Sequence, residues 1–404
     1  MRLGDVCTKI GSGATPKGGK EAYKPSGIPL IRSQNVLDWS FTSNGLAFVD
    51  EGQAAALANV EVEPRDILLN ITGDSVARAC MVPDWCTPAR VNQHVSIVRP
   101  GPDLDPTFLL CYLQSSKPLL LKLASSGATR NALTKGMIGD LEIELPNIET
   151  QRAIASLIGQ IQQKIVLNQQ TNDYLVELGD ALFTQALKKS NQEITYRAID
   201  TFCEVKGGKR LPKGAELISQ ANTHPYIRVR DLNNAVVLLL TPEMLYVDDD
   251  TQKSISRYIV NAGDVVVSVV GTIGLSAYIG KTLDGANLTE NCNKLTSFDE
   301  GLAAWSYFFL RSAAGKEAIR LGTVGAVQAK LPLKNIKSIE VPFVPASEME
   351  KATSTLNEIL AMIQANMIES LSLVELRDAL LPKLMSGEID VSKIDLTQLN
   401  NHLA

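Results

Sequence analysis

The sequence predicts an α+β protein in which two copies of a strand-rich globular domain alternate with two long helices that pair antiparallel as a coiled coil. Apolar residues recur at helical spacing from about Gln151 to Leu187, longer than most globular helices. The same lattice returns 198 residues further on, and a block rich in strand and turn signals precedes each copy.

In the first helix Ile154, Ile161, Leu175 and Leu182 share one seven-residue lattice, broken only by Asn168. Leu157 and Leu178 take the second seam position, and Ile158 and Ile165 flank it. About 37 residues at roughly 1.5 Å each make a rod of about 55 Å. The second copy supplies Ile359 for Ile161, Ile363 for Ile165, Asn366 for Asn168, Leu373 for Leu175 and Leu376 for Leu178. Leu178-Gly-Asp-Ala-Leu182 likewise matches Leu376-Arg-Asp-Ala-Leu380. A polar residue in a seam sets helix register at a cost in stability. Asn168 and Asn366 are therefore expected to meet near the centre of an antiparallel pair, and replacing both with Leu is expected to raise thermal stability.

The chain then divides into a globular block over 1–146, a helix over 147–190, a second block over 195–342, a second helix over 346–385 and a tail over 386–404. Ile28-Pro-Leu-Ile-Arg32, Asp66-Ile-Leu-Leu-Asn-Ile-Thr72 and His94-Val-Ser-Ile-Val98 have strand composition, and Pro106 to Leu123 has helical spacing. The second block repeats the order. Pro225-Tyr-Ile-Arg228 answers Pro29-Leu-Ile-Arg32, Asp264-Val-Val-Val answers Asp66-Ile-Leu-Leu, and Glu340-Val-Pro342 answers Glu144-Leu-Pro146. Polar loops differ: Ser33-Gln-Asn35 becomes Val229-Arg-Asp231, and Gly73-Asp-Ser-Val-Ala-Arg78 becomes Gly271-Thr-Ile-Gly-Leu-Ser276. A shared scaffold with changed loops suits two readers of different targets, although loop drift after duplication gives the same pattern.

The 404 residues, 45% hydrophobic and 21% charged, suit two or three domains with proper cores. No uninterrupted apolar run reaches the length of a membrane span, and Met1-Arg-Leu-Gly-Asp lacks the apolar core of a signal peptide, so a cytoplasmic location is expected. Six scattered cysteines without a CxxC pair read as reduced, buried small hydrophobes, and no metal-ligand spacing is present. The net charge of −5 argues against a nucleic-acid partner until its distribution is considered. Lys+Arg against Asp+Glu is 14 to 15 over residues 1–146 and 17 to 15 over 195–342, but 4 to 9 over 343–404. Near-neutral domains permit a local basic face without requiring one.

Catalytic motifs are missing: no GxxxxGK[ST], HExxH, GxSxG or Asn-Pro-Pro-Tyr run occurs. A PD…ExK nuclease would have to join Pro102-Asp103 to Glu204-Val-Lys206 across different repeats. The polar loops suit nucleic acid better. The Gly-rich run Lys206-Gly-Gly-Lys209-Arg210, with Lys213, lets backbone and cations approach phosphates, and Gly11 to Lys17 with Lys20 is its counterpart. After a strand come Arg32, Ser33, Gln34 and Asn35 in one copy and Arg228, Arg230, Asp231 and Asn233 in the other, side chains able to address base edges. Arg130-Asn131 and Gln328 with Lys330 precede each block's last strand, and Arg78, Arg90, Asn92 and Asn291 complete the candidate DNA-binding set. Any one of these is ordinarily a solvated loop residue; their recurrence at matched places makes them candidates. A protein-binding repeat scaffold remains the alternative.

The order of domain, helix, domain, helix, closing on Leu380-Leu-Pro-Lys-Leu-Met-Ser-Gly-Glu-Ile389, resembles the specificity subunit of type I restriction-modification enzymes. Ile28-Pro-Leu-Ile-Arg-Ser33 and the strand-Pro-helix junctions at Pro146 and Pro342 are similar to that family's. The resemblance implies a non-catalytic chain with two target-recognition domains. Each reads half of a split double-stranded DNA target, and the helices act as spacer and docking surface for two DNA adenine methyltransferase subunits. Restriction/translocase subunits join them, and S-adenosylmethionine, ATP and Mg belong to those partners. A rod of about 55 Å would exceed one turn of DNA, roughly 34 Å, and so set the readers in successive major grooves. The role of the acidic tail is left open.

Overall fold

The computed structural model describes residues 1–125, 131–190, 193–233, 235–325 and 328–394. The chain forms two compact units, Met1–Val166 with Ser370–Ala404 and Leu167–Glu369. Each unit therefore holds one globular repeat and a stretch of each long helix.

In the first unit one antiparallel sheet runs in the order Cys7–Ser12, Val95–Pro100, Ile67–Asn70, Ala79–Met81. A second sheet has the order Ala47–Val49, Ile28–Ile31, Ala89–Val91, Glu61–Val62, with its two central strands parallel. Successive strand residues point to opposite faces, so Leu68 and Ile97 enter the core under the second sheet while Ile67, Leu69 and Val98 face the helices. Both faces are buried, which explains the unbroken apolar run Ile67-Leu-Leu69. The helix Pro106–Ser115 begins on Pro at its first position, and Asp105 Oδ1 accepts from Thr107 N (2.8 Å) and Phe108 N (3.1 Å). Its Phe108 and Leu109 share a core with Ile154, Leu157 and Ile158 of the first long helix and Leu381 and Leu384 of the second. Val391 joins the same core, and Ile389 and Ile394 pack against it, so the described part of the tail lies on the N-terminal repeat. Residues 395–404 lie outside the described residues.

The second unit repeats this topology. Its larger sheet has the order Glu204–Gly207, Cys292–Thr296, Val265–Ser268, Ser276–Ile279, with Val237–Leu238 added at the edge. Leu245–Tyr246, Pro225–Ile227 and Asn287–Leu288 form the smaller sheet, the last two again parallel. The aspartate before the central strand is ion-paired in both repeats, by cations at different strand positions: Asp66 takes Arg99 bidentately at 2.7 and 2.8 Å, and Asp264 faces Lys294 at 3.5 Å. The duplication read in the sequence is thus a duplication of strand order.

The long helices are Ile148–Lys189 and Ala346–Met385. Within the first unit Gln162 Oε1 accepts from Arg377 Nη1 (2.6 Å); within the second, Asn168 lies beside Asn366 and Lys189 beside Glu348, so the helices run antiparallel. The seam departs from the lattice read in the sequence. Leu178 and Leu376, assigned to it, are 48% and 45% exposed, while Gly179, Phe183 and Ala186 are buried. The cause is a competing partner, the globular repeat. Phe183 packs on Trp305 with ring centroids 4.6 Å apart, a Cβ on Gly179 would stand 2.3 Å from the Phe308 ring, and Arg311 grips Asp180 with two bonds of 2.8 Å.

Ala346–Met385 also contains an 18-residue window of mean hydropathy 1.4, so by length and composition it meets the test for a membrane span that the reading of uninterrupted runs did not register. Its Leu356, Ile359, Leu360 and Ile363 are buried, Asn357 Nδ2 donates to Gly301 O (3.1 Å), and Gln364 Oε1 accepts from Lys281 N (2.8 Å). These are the contacts of a helix packed on protein.

Asn168 Nδ2 donates to Asn366 O (3.3 Å) and Glu369 Oε2 (2.8 Å), and Asn366 Nδ2 donates to Asn172 Oδ1 (2.9 Å). The two asparagines thus belong to one polar network with Asn172 and Glu369. Asn168→Leu together with Asn366→Leu is accordingly expected to lower stability by about 1–3 kcal/mol, because it removes these hydrogen bonds from the seam. Urea unfolding of the double variant measures this; a raised midpoint would mean that the network contributes nothing.

Candidate nucleic-acid interface

The Gly-rich loops are set by sterics. A Cβ on Gly13 would lie 2.0 Å from Val91 O, and one on Gly208 2.0 Å from Thr289 O. Gly13 N donates to Val95 O (2.9 Å) and Ala14 N to Val91 O (3.0 Å); Gly208 N donates to Cys292 O (3.0 Å) and Lys209 N to Leu288 O (2.8 Å). Only a residue without a side chain passes so close to a neighbouring backbone.

Three further matched contacts complete an edge in each repeat. Ile71 N donates to His94 O (3.0 Å) as Val269 N does to Asn291 O (2.8 Å). Leu133 N donates to Ile71 O (2.8 Å) as Leu331 N does to Val269 O (3.0 Å). Asn92 N donates to Ile31 O and Thr289 N to Ile227 O, both at 3.0 Å. Five chain segments meet at each edge on one backbone frame, and the side chains on that frame differ. Ala14, Thr72, Asn92, Gln93, His94 and Ala132 stand where the second repeat has Lys209, Val270, Thr289, Glu290, Asn291 and Lys330.

These edges collect part of the candidate set. Asn92, Asn131 and the half-buried Arg78 belong to the first edge; Lys209, Arg210, Asn291, Gln328 and Lys330 belong to the second. Lys17 and Lys213 occupy exposed turns beyond the two glycine loops, and Lys206 pairs with Glu204 at 2.5 Å. The side chain of Lys20 and the whole of Arg130 lie outside the described residues.

Other candidates serve the fold instead. Asn35 is fully buried: its Oδ1 accepts from Arg32 N (3.0 Å) and its Nδ2 donates to Thr42 O (3.0 Å) and Asn44 O (3.2 Å). Arg32 Nη2 donates to Gly45 O (2.5 Å), and so does Gln34 Nε2 (3.1 Å). Ser33 gives its carbonyl to Asn70 Nδ2 at 2.9 Å. In the second repeat Asp231 takes the place of Asn35, accepting from Arg228 N (2.8 Å) and from the Arg228 guanidinium at 2.8 and 2.7 Å. Arg90 is buried, bonded to Ala54 O (3.0 Å) and Ala89 O (2.9 Å) and paired with Glu61 at 2.7 Å. The side-chain groups of Asn35 and Arg90 are thus taken up within the fold and Arg228 is clasped by Asp231, whereas Arg230 and Asn233 are exposed on and just after the short helix Val229–Leu232. The matched Arg after each strand is thus bonded within its own turn.

The sequence reading missed Thr72, Gln93, His94 and Glu290. Thr72 Oγ1 lies 2.6 Å from His94 Nδ1, and Gln93 Nε2 lies 3.5 Å from Nε2 of that exposed ring. Glu290 holds Arg210 Nε at 2.7 Å. No local pattern marks these residues; only superposing the repeats' backbone contacts does.

Chemistry of other kinds has little footing. Among the described residues no group of three or more His, Cys, Asp or Glu is placed to hold a metal. Five cysteines are buried and Cys7 half-buried, and burial raises the Cys80, Cys111, Cys203 and Cys292 thiols to about 12, far from the reactive thiolate form.

Two similar strand-rich domains, each presenting its own polar edge on a common frame and each packed on paired helices, define a bipartite recognition protein. The family model of the type I restriction modification DNA specificity domain matches residues 1–176 and 191–373, and the chain belongs to that family. It is 24% identical over 381 residues to the HindI specificity subunit of Haemophilus influenzae, covering 74% of this chain and 81% of that one. It is 20% identical to the MjaIX specificity subunit of Methanocaldococcus jannaschii, over 96% of this chain and 92% of that one. The solved S subunit of the M. genitalium type I system shares the fold, with a TM-score of 0.60, 16% identity and 95% coverage of both chains.

Arg228→Ala is expected to cost about 1–3 kcal/mol in chemical denaturation by removing a bidentate, largely buried partner of Asp231, and Arg230→Ala to cost nothing measurable. Equal effects would contradict the assignment. Gly208→Ala, which drives a methyl into Thr289 O, is expected to lower Tm more than Gly214→Ala, where a Cβ meets nothing within 4 Å but the backbone has φ +88°.

Proposed function

We propose that this chain reads a bipartite, asymmetric double-stranded DNA target, each globular repeat recognising one half, and docks two DNA adenine methyltransferase subunits through its long helices. The family makes the chain a DNA-recognition subunit of a type I restriction-modification complex without catalysis of its own. What carries the reading of two different half-sites is the matched frame: identical backbone contacts, with Thr72, Gln93 and His94 on one edge and Val270, Glu290 and Asn291 on the other. A scaffold for identical ligands would have no use for that divergence.

Charge supports the same assignment. Lys206, Lys209, Arg210, Lys213 and Lys330 gather around the second edge, and such cations supply the counterion-release part of DNA affinity. Restriction/translocase subunits would join the assembly, S-adenosylmethionine, ATP and Mg would be bound by the partner subunits, and the complex would work in the cytoplasm. The exposed Leu178 and Leu376, at matched places on the two helices, suit docking of two copies of one partner.

Binding of the chain, assembled with its methyltransferase subunits, to randomised duplexes tests the reading. One split sequence should be selected, with log Kd rising linearly with log salt concentration. Exchange of residues 1–146 for those of another specificity subunit should change one half of that sequence and leave the other intact. Selection without sequence preference, or a change in both halves, would contradict it.

A further inference from the structure

Arg210 leaves the Gly208-Lys209 bend, whose backbone is pinned to Leu288 and Cys292. Its side chain is 81% exposed, yet it is not loose: Nε donates to Glu290 Oε1 at 2.7 Å. Glu290 is held in turn, since Thr289 Oγ1 donates to its other carboxylate oxygen at 3.1 Å. Burial works to raise the Glu290 pKa, but the hydrogen bond from Arg210, with others, holds it below the ordinary value, so the carboxylate is charged at neutral pH. Arg210 spends one donor on this contact. Its two terminal nitrogens have no protein acceptor among the described residues, and they form the planar fork that matches guanine O6 and N7.

We propose that Arg210 recognises a guanine in the half-site read by the second repeat and that Glu290 is its positioning residue. This rests on the DNA-reading function proposed above and names one determinant of it. A free arginine loses much rotamer freedom on binding, and anchoring Nε removes part of that cost before DNA arrives while leaving the fork open. Each Glu290 carboxylate oxygen already accepts one hydrogen bond, from Arg210 or from Thr289. In the first repeat the corresponding positions hold Thr15 and Gln93, which cannot form such a fork, so the determinant belongs to one half-site only.

Selection from randomised duplexes by the assembled complex tests this. The wild-type protein should require a G·C pair at one position of one half-site. Arg210→Ala should reduce that preference about ten- to hundredfold at that position alone, and Arg210→Lys should not restore it. Glu290→Ala should weaken the same position severalfold with Tm unchanged, and Glu290→Gln, which keeps an acceptor for Nε, should retain most of the preference. The inference is overturned if Arg210→Ala lowers affinity for all sequences alike with a salt slope smaller by about one, the mark of a phosphate contact. It is equally overturned if Glu290→Ala alters a different base pair. If the wild-type protein selects no split sequence, the DNA-reading function falls and this determinant with it.

Discussion

The packing of a globular repeat onto a long helix is the contact on which each unit depends. In the second unit Phe308 sits where the absent side chain of Gly179 leaves room, Trp305 lies against Phe183, and Arg311 closes on Asp180. In the first unit the same role falls to Phe108 and Leu109 against Ile154, Leu157 and Ile158, with Gln151 tying the helix start to Asp103 O and Pro146 O at 3.0 and 2.9 Å. The matched motif at 178–182 and 376–380 is used in two ways: Gly179 admits a ring, whereas Arg377 stacks 4.8 Å from the Trp39 ring centre and bonds Gln162. A reader held this way has its polar edge oriented by a rigid helix, which is what sequence recognition requires of a loop.

The reading edges follow from the same economy of constraint. Gly13 and Gly208 let one segment cross the end of a parallel strand pair, and backbone hydrogen bonds fix the loops around it. Since the frame is made by main chain and glycine, side chains on it can change without cost to the fold. Arg32 with Asn35 and Arg228 with Asp231 lock the neighbouring turn, so that part of the surface keeps its chemistry.

The order of elements, the duplication and the two long helices were legible in the sequence because each rests on periodicity or on a shared offset. The helix partner was not. A lattice of apolar residues says which face of a helix is buried and nothing about what buries it, so Leu178 and Leu376 were placed in a seam that Gly179 and Phe183 share with the globular repeat. For the candidate site, the loops are legible but the contacts within them are not: Arg228 and Arg90 have the composition of base readers and are bonded within the fold. Donor chemistry is identical in the two roles, and only a buried acceptor such as Asp231 or Ala54 O distinguishes them. Glu290 escaped notice for the converse reason, an acid being an unexpected neighbour of a basic run until its contact with Arg210 Nε is seen.

The most direct test of the central claim is a base-resolution map of adenine methylation in the source genome, with this gene intact and deleted. Loss of methylation at one split, asymmetric motif, and at no other, is the predicted result. An unchanged map, with the methyltransferase subunits present and active, would contradict it.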